Sequence, residues 1–331
     1  MQNALEEQLD KAQSILLRSG EKRETIDPTT KTEWLKLRTK DVTSTEVSAL
    51  FGISPYITHF ELWHRKKSGE IVEHLGNERT EWGKRLESSI ANGVADTYGF
   101  EIRPMTEYIR DPENRIGSSF DYAVEAQEID GEIVHIAGIL EIKNVDALQF
   151  RDGWIVGDNG EVEAPPHIEM QVQHQLLVSN RDVAYIGALV GGNSLKLLKR
   201  TRNEIVINAI KNKISEFWKS IEDNKEPKPD FERDADFIAK LYNHATKDTL
   251  LTADQRLTDL AEKYKVASDQ ESIAVKHKKA IKAEILTIIG KYEKVKGDLF
   301  TISAGETAPK WIERYERSGF RNFRISWRKK K

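Results

Sequence analysis

The nine residues Gly138–Asp146, GILEIKNVD, limit what this chain can fold into more than any other stretch. Ile139, Leu140 and Ile142 read as a strand buried on at least one face, yet Glu141 and Lys143 sit in the same run. An ionised side chain in such a place is costly unless it is paired or bound to a metal. Strand side chains alternate, so Glu141 and Lys143 share one face while Leu140 and Ile142 share the other. One face of this strand therefore belongs to a core and the other to a charged site.

The partner strand lies just upstream. Phe120–Ile129 and Ile133–Lys143 flank Asp130-Gly131, a favoured turn dipeptide, and the pattern predicts a β-hairpin. Its register decides whether Asp121 joins the charged face. A strict two-residue turn pairs positions whose numbers sum to 261, which sets Asp121 opposite Leu140. A three-residue loop or a single bulge raises the sum to 262 and turns Asp121 towards Glu141. Two carboxylates brought together in this way repel unless a cation lies between them. Hard oxygen ligands of this kind suit Mg²⁺ or Mn²⁺, which also accept phosphate oxygens from a substrate. Such a metal lowers the pKa of a bound water, and Lys143 alongside would orient that water or stabilise charge on phosphorus.

A third carboxylate comes from the helix predicted over Glu78–Tyr98. Trp82, Leu86, Ile90, Val94 and Tyr98 recur every four residues as an apolar stripe, and Gly99 marks its stop. Glu87 borders that stripe, with Gly83 one turn earlier on the same side.

Around these elements, residues 1–30 read as a short helix (Leu5, Leu9, Ala12, Leu16) and a polar link. Thr43 with Glu46 resembles a capping box opening a helix to Phe51, and a second helix runs through FELWHRKK. Phe100–Ile109 is expected as one strand, Trp154–Glu163 as a turn-bearing segment, His167–Val178 as a helix and DVAYIGALVGG as a strand, with helix again through Glu204–Glu222. PKPDFERD (227–234) reads as a linker. Beyond it, over 235–331, come charged helices, one near Phe237–Tyr242 and a longer one across 253–289, whose apolar positions (Leu257, Leu260, Ala261, Tyr264; Ile281, Ile285, Ile288, Ile289) are expected to pair as an antiparallel hairpin. Two short strands, GDLFTIS and FRNFRISW, follow.

Composition excludes several chemistries. The 331 residues are 38% hydrophobic and 32% charged, as in a globular protein, and contain no cysteine. That removes disulfides, thiolate nucleophiles, Cys-ligated zinc and iron–sulfur clusters together. No P-loop, no zinc-spaced histidines, no signal-peptide core and no membrane-length apolar run is present, which fits a cytoplasmic protein with no nucleotide cofactor. The net charge is -3, but residues 310–331 carry nine Lys or Arg against two Glu, a patch suited to a polyanion.

The order Asp, then Glu-x-Lys on adjoining strands, preceded by a helical Glu, resembles the PD-(D/E)XK nuclease core. More closely, the chain resembles the phage lambda-type exonucleases of the YqaJ-like viral recombinase family. The matching stretches are VTSTEVSALFGISPY with LWHRKKSG, then EWGKRLE, GSSFDYAV, GILEIKN and IEMQVQHQLLVSN, over about residues 34–190. The resemblance implies an α/β fold with a central mixed sheet flanked by helices over 31–228, carrying a C-terminal helical-hairpin extension. It implies Asp121 and Glu141 as metal ligands, with Ile142 at the same metal site, Lys143 as the catalytic lysine and Glu87 as a further acid. A glutamine of MQVQHQ would complete the site; Gln173 is slightly favoured over Gln171. Arg38 and Thr45, with Ser44 adjacent, would bind the 5′-phosphate of a DNA strand.

Three readings follow. The first is a Mg²⁺-dependent 5′→3′ exonuclease acting on duplex DNA ends, with Mn²⁺ as a substitute. The family implies a ring-shaped trimer, a single-strand annealing protein as companion and a phage or prophage origin in a bacterial host. The second is an endonuclease of restriction or repair type on the same core. The third is a non-catalytic DNA-binding scaffold in which 235–331 is the working part.

Overall fold

The computed structural model describes residues 22–71 and 76–306. The expected N-terminal helix, the strand at FRNFRISW and the basic tail 310–331 lie outside the described residues. A first compact unit ends at Phe237 and a second begins at Ile238.

In chain order, the first unit starts with β1 (Glu24–Ile26), α1 (Lys31–Lys40), β2 (Val42–Thr43), α2 (Val47–Leu50) and α3 (His59–Ser68). Then come α4 (Glu78–Tyr98), β3 (Phe100–Pro104), β4 (Tyr108–Asp111), β5 (Ile116–Ser118), β6 (Tyr122–Ile129) and β7 (Glu132–Val145). It continues through α5 (Ala147–Gly153), β8 (Ile155–Val156), β9 (Val162–Glu163), α6 (Pro166–Ser179), β10 (Val183–Val190), β11 (Ser194–Thr201) and α7 (Glu204–Glu222). The short α8 (Ala235–Leu241) follows.

The main sheet has strand order β11-β10-β7-β6-β3. Only β10 and β7 run parallel, joined by a crossover that contains α6, and the other pairs are antiparallel. Helices cover both faces. On one side Leu140, Ile142 and Tyr185 pack with Ile90, Ala91 and Val94 of α4. On the other, Ile139 and Ile186 join a larger core with Val172 and Leu176 of α6 and Ile210 and Phe217 of α7. Gly187 permits the close approach of α4: a Cβ there would lie 2.9 Å from Val94 Cγ2.

The apolar stripe of α4 is buried only over its C-terminal half. Ile90 and Val94 are core, whereas Trp82 remains 50% exposed. Gly99 ends the helix in the left-handed region (φ 69°) and donates to Ala95 O, as its position in the sequence predicts. The stretch Phe100–Ile109 is two strands rather than one. The chain leaves the main sheet at Pro104, and β4 enters a second sheet of order β1-β4-β5-β2. Met105 N still donates to Asp121 O at 3.0 Å before the chain turns into the second sheet.

The hairpin β6–β7 carries a bulge. From Ile129↔Glu132 to Ala126↔His135 the paired numbers sum to 261; from Val124↔Gly138 to Tyr122↔Leu140 they sum to 262. Glu125 alone faces Ile136 and Ala137, so the extra residue sits in β7.

PKPDFERD is not a free linker. Asp234 is fully buried, accepts from Thr58 Oγ1 through Oδ1 and from Asp230 N through Oδ2 at 2.8 Å. Arg233 donates to the Ser54 carbonyl.

In the second unit, α9 (Gln255–Ile289) runs unbroken for 35 residues. The longer helix expected across 253–289 is therefore present, but its apolar positions do not fold back as the expected antiparallel hairpin, since no Gly or Pro lies between Gln255 and Ile289 to turn the chain. Asp254 caps its start, accepting from Leu257 N at 2.7 Å. β12 (Lys294–Lys296) and β13 (Thr301–Ser303), the latter within GDLFTIS, pair antiparallel. Among the described residues, no helix is long and apolar enough to cross a membrane.

Candidate active site

The bulge extends the 262 register to Asp121, which falls opposite Glu141 on the face that β7 turns towards α6. Asp121 Oδ2 accepts from Ile142 N at 2.8 Å, tying the acid to the neighbouring strand. Lys143 Nζ donates to Glu141 Oε1 at 2.6 Å and to Gln171 Oε1 at 3.3 Å. Gln171 Nε2 donates to the same Glu141 oxygen at 2.6 Å.

Helix α6 supplies the amides because residues four apart share one face. Gln171 and Gln175 therefore both reach Glu141; Gln175 Nε2 donates to Oε2 at 2.6 Å. Gln173 does not. It projects to the other side, donating to Thr201 O and accepting from Asn203 N, both at 2.9 Å. The structure thus brings Gln171 to the acids, not the slightly favoured Gln173, and adds Gln175, which the sequence reading missed. The i, i+4 spacing within QVQHQ was the available signal.

Electrostatics mark the same spot. Burial, reinforced by Glu141, raises the Asp121 carboxyl well above its usual range. Burial and then Glu141 raise Glu87 as well. Burial acts to lower the Lys143 ammonium, but Glu141 and Asp121 outweigh it and raise it, so the lysine stays charged. Glu87 feels these charges from α4, which packs on the opposite face of the sheet. Among the described residues, no three acidic, His or Cys side chains converge closely enough to hold a metal. The donor set still fits a hard divalent cation, since Mg²⁺ is held by as few as one or two carboxylates with waters and phosphate. Asp121 and Glu141 would be that pair. The Ile142 side chain is buried in the α4 core, so only its main chain borders the site.

A second cluster lies where α1 meets β2. Arg38 stacks on Trp34 at 4.6 Å and donates to Thr43 Oγ1 at 3.3 Å and Thr45 Oγ1 at 3.1 Å. A cavity of about 210 Å³ beside it is lined by Lys31, Trp34, Arg38, Glu46, Lys66 and Lys84 among others. Ser44 faces inward instead, buried and bonded to Ser118 Oγ at 3.0 Å. Glu46 accepts from Thr43 N at 3.0 Å and Thr43 Oγ1 at 2.7 Å and pairs with buried Lys66 at 2.8 Å. Glu46 itself is the helix cap and makes no side-chain cap bond, so only the Glu46 half of the expected capping box forms. The two clusters share Ser119, which accepts from Trp34 Nε1 at 2.7 Å through Oγ and from Gln175 Nε2 at 3.5 Å through its carbonyl.

The core is thus a mixed sheet with helices on both faces, with Asp121 at the start of one strand and Glu141-x-Lys143 on its neighbour. Residues 33–182 match the model of the YqaJ-like viral recombinase domain. The uncharacterized protein YqaJ of Bacillus subtilis (strain 168) is 29% identical over 188 residues, which are 56% of this chain and 54% of that protein. The chain thus spans about half the length of the curated relative it matches. An alkaline exonuclease from Laribacter hongkongensis, solved also with dAMP, is 18% identical with a TM-score of 0.45, covering 63% of this chain and 99% of that one. A phage-related exonuclease from Haemophilus somnus 129PT is 15% identical with a TM-score of 0.37, covering 55% and 94%.

Proposed function

We propose that this protein is a Mg²⁺-dependent 5′→3′ exonuclease that degrades one strand of duplex DNA from its ends, exposing 3′ single strands for annealing-type recombination. The observation that carries the reading is the register shift in β6–β7, which sets Asp121 opposite Glu141 with the Lys143 ammonium on the Glu141 carboxylate. A regular hairpin would have turned the aspartate to the opposite face. The family match to a viral recombinase domain supports the same process.

Asp121 and Glu141 would hold Mg²⁺, or Mn²⁺ in its place, with Glu87 as an outlying acid. When bound, such a cation polarises the scissile phosphate and acidifies a water. Lys143 supplies a fixed positive charge where negative charge grows on phosphorus. Gln171 holds Lys143 and Glu141 together. Arg38 and Thr45 offer a guanidinium and a hydroxyl to a 5′-phosphate in the adjoining basic cavity. A ring-shaped trimer and a single-strand annealing protein as companion belong to the same reading by family resemblance.

The test uses linear duplexes with 5′-phosphate or 5′-hydroxyl ends and a closed circle, each with Mg²⁺ or EDTA. Nucleotides should leave only linear duplexes, only with Mg²⁺, and fastest from 5′-phosphate ends. Cutting of the circle would replace the exonuclease with an endonuclease. No Mg²⁺-dependent release from any end would sink the proposal.

A further inference from the structure

The Tyr56 ring is 81% exposed, yet its backbone is among the better-held loops of the first unit. Ser54, itself buried, accepts from Tyr56 N at 3.2 Å and from Ile57 N at 3.3 Å. Arg233 holds the Ser54 carbonyl, Ile57 is core, and Thr58 is bonded to buried Asp234. An exposed aromatic on a loop fixed from both sides loses little conformational freedom on contact with a ligand.

The ring is also placed. Its centroid lies 5.7 Å from that of His167 with the planes at 87°, an edge-to-face pair. His167 opens α6 four residues before Gln171 and eight before Gln175, so one helix face runs from Tyr56 inward to Glu141. Gln171, four residues along that face, accepts from the Lys143 ammonium at 3.3 Å. Burial, and then Lys143, lowers the pKa of His167, so the ring packs as a neutral aromatic.

We infer that Tyr56, backed by His167, is a stacking platform for a nucleobase of the DNA strand whose phosphate meets Lys143. The inference rests on the nuclease reading and adds a base-binding subsite to it. Every base has a π-face, so a platform of this kind grips the strand without selecting sequence. That suits an enzyme that must accept each successive nucleotide.

The experiment measures binding of 5′-phosphorylated duplexes with 2-aminopurine at the first, second or third nucleotide, in Ca²⁺ to prevent cleavage. Wild type and Tyr56→Phe should quench the fluorescence at one of these positions, and Tyr56→Ala should not. Tyr56→Ala should weaken binding about tenfold, and that penalty should vanish when the same nucleotide is abasic. Equal quenching by Tyr56→Ala, or an unchanged penalty on the abasic duplex, overturns the platform. Mg²⁺-dependent release by wild type, run in parallel, separates the two failures. Intact release with a failed platform leaves the nuclease standing; absent release and absent binding remove both.

Discussion

Gln175 donates from Nε2 to Glu141 Oε2 at 2.6 Å, and Gln171 serves the other oxygen at the same distance. The buried carboxylate is therefore held on both sides by amides from one helix face. A carboxylate fixed in this way keeps its orientation when a cation or a substrate phosphate arrives.

Gln171→Ala and Gln175→Ala should each lower kcat by about 10–100-fold and raise the Mg²⁺ concentration needed for half-maximal rate. Gln173→Ala should behave differently. It strips partners from Thr201 O and Asn203 N, so its cost should appear as about 1–3 kcal/mol of lost stability. Metal titrations of activity beside urea unfolding curves separate the two patterns.

Arg38 is preorganised by Trp34 and by two threonine hydroxyls. Arg38→Ala should slow release from 5′-phosphate ends at least about tenfold and leave 5′-hydroxyl ends little changed. Arg38→Lys should not restore the preference, because a point charge lacks the planar fork that grips a phosphate and stacks on indole. Initial rates on the two kinds of end check both statements.

The central site was legible because its charges sit at strand periodicity beside a turn dipeptide, which left register as the one open variable. The charged face called for an odd loop or a bulge in this hairpin and the bulge is there; only its position was illegible, because Glu125, Ile136 and Ala137 carry no special residue. The choice between Gln171 and Gln173 needed the rotation of α6 about its axis, which nine buried residues on a nearly all-round apolar helix do not reveal. Ser44 turned inward for the same kind of reason, since Ser118 waits for it on a strand 74 residues away. The C-terminal hairpin failed because an apolar stripe reports a face without saying whether the chain folds back along it.

Acid should weaken the fold in two stages. Burial holds His174 down to about 3, with its Nε2 3.2 Å from Val42 O. The unfolded chain takes up this proton first, so its contribution is complete above about pH 6.5 and is lost from there towards pH 3. Burial acts to raise Glu46, but Lys66 and Arg38 outweigh it and hold it at about 2. Its contribution is complete above pH 4.5 and is lost from there towards pH 2. Between pH 7 and pH 5, His174 alone should cost about 2 kcal/mol. His174→Gln removes the titration and keeps an amide donor, so the wild-type-minus-variant difference in urea midpoint should shrink over that interval. A difference independent of pH would mean that His174 is not buried neutral.

Asp234 joins the tail of the first unit to the cap of α3. Thr58 accepts from Glu61 N at 3.0 Å as it donates to Asp234, so the aspartate fixes both the helix start and the segment behind it. Asp234→Ala leaves a buried hydroxyl and the Asp230 N–H without partners and should cost about 2–3 kcal/mol. Loosened chain between 227 and 234 should then be cut by trypsin at Arg233 in the variant well before wild type. The same logic sets where the domain ends. A fragment stopping at residue 226 should unfold at lower urea than one stopping at residue 237, although PKPDFERD by composition looks dispensable. Equal midpoints for the two fragments would show that the Asp234 anchor contributes nothing.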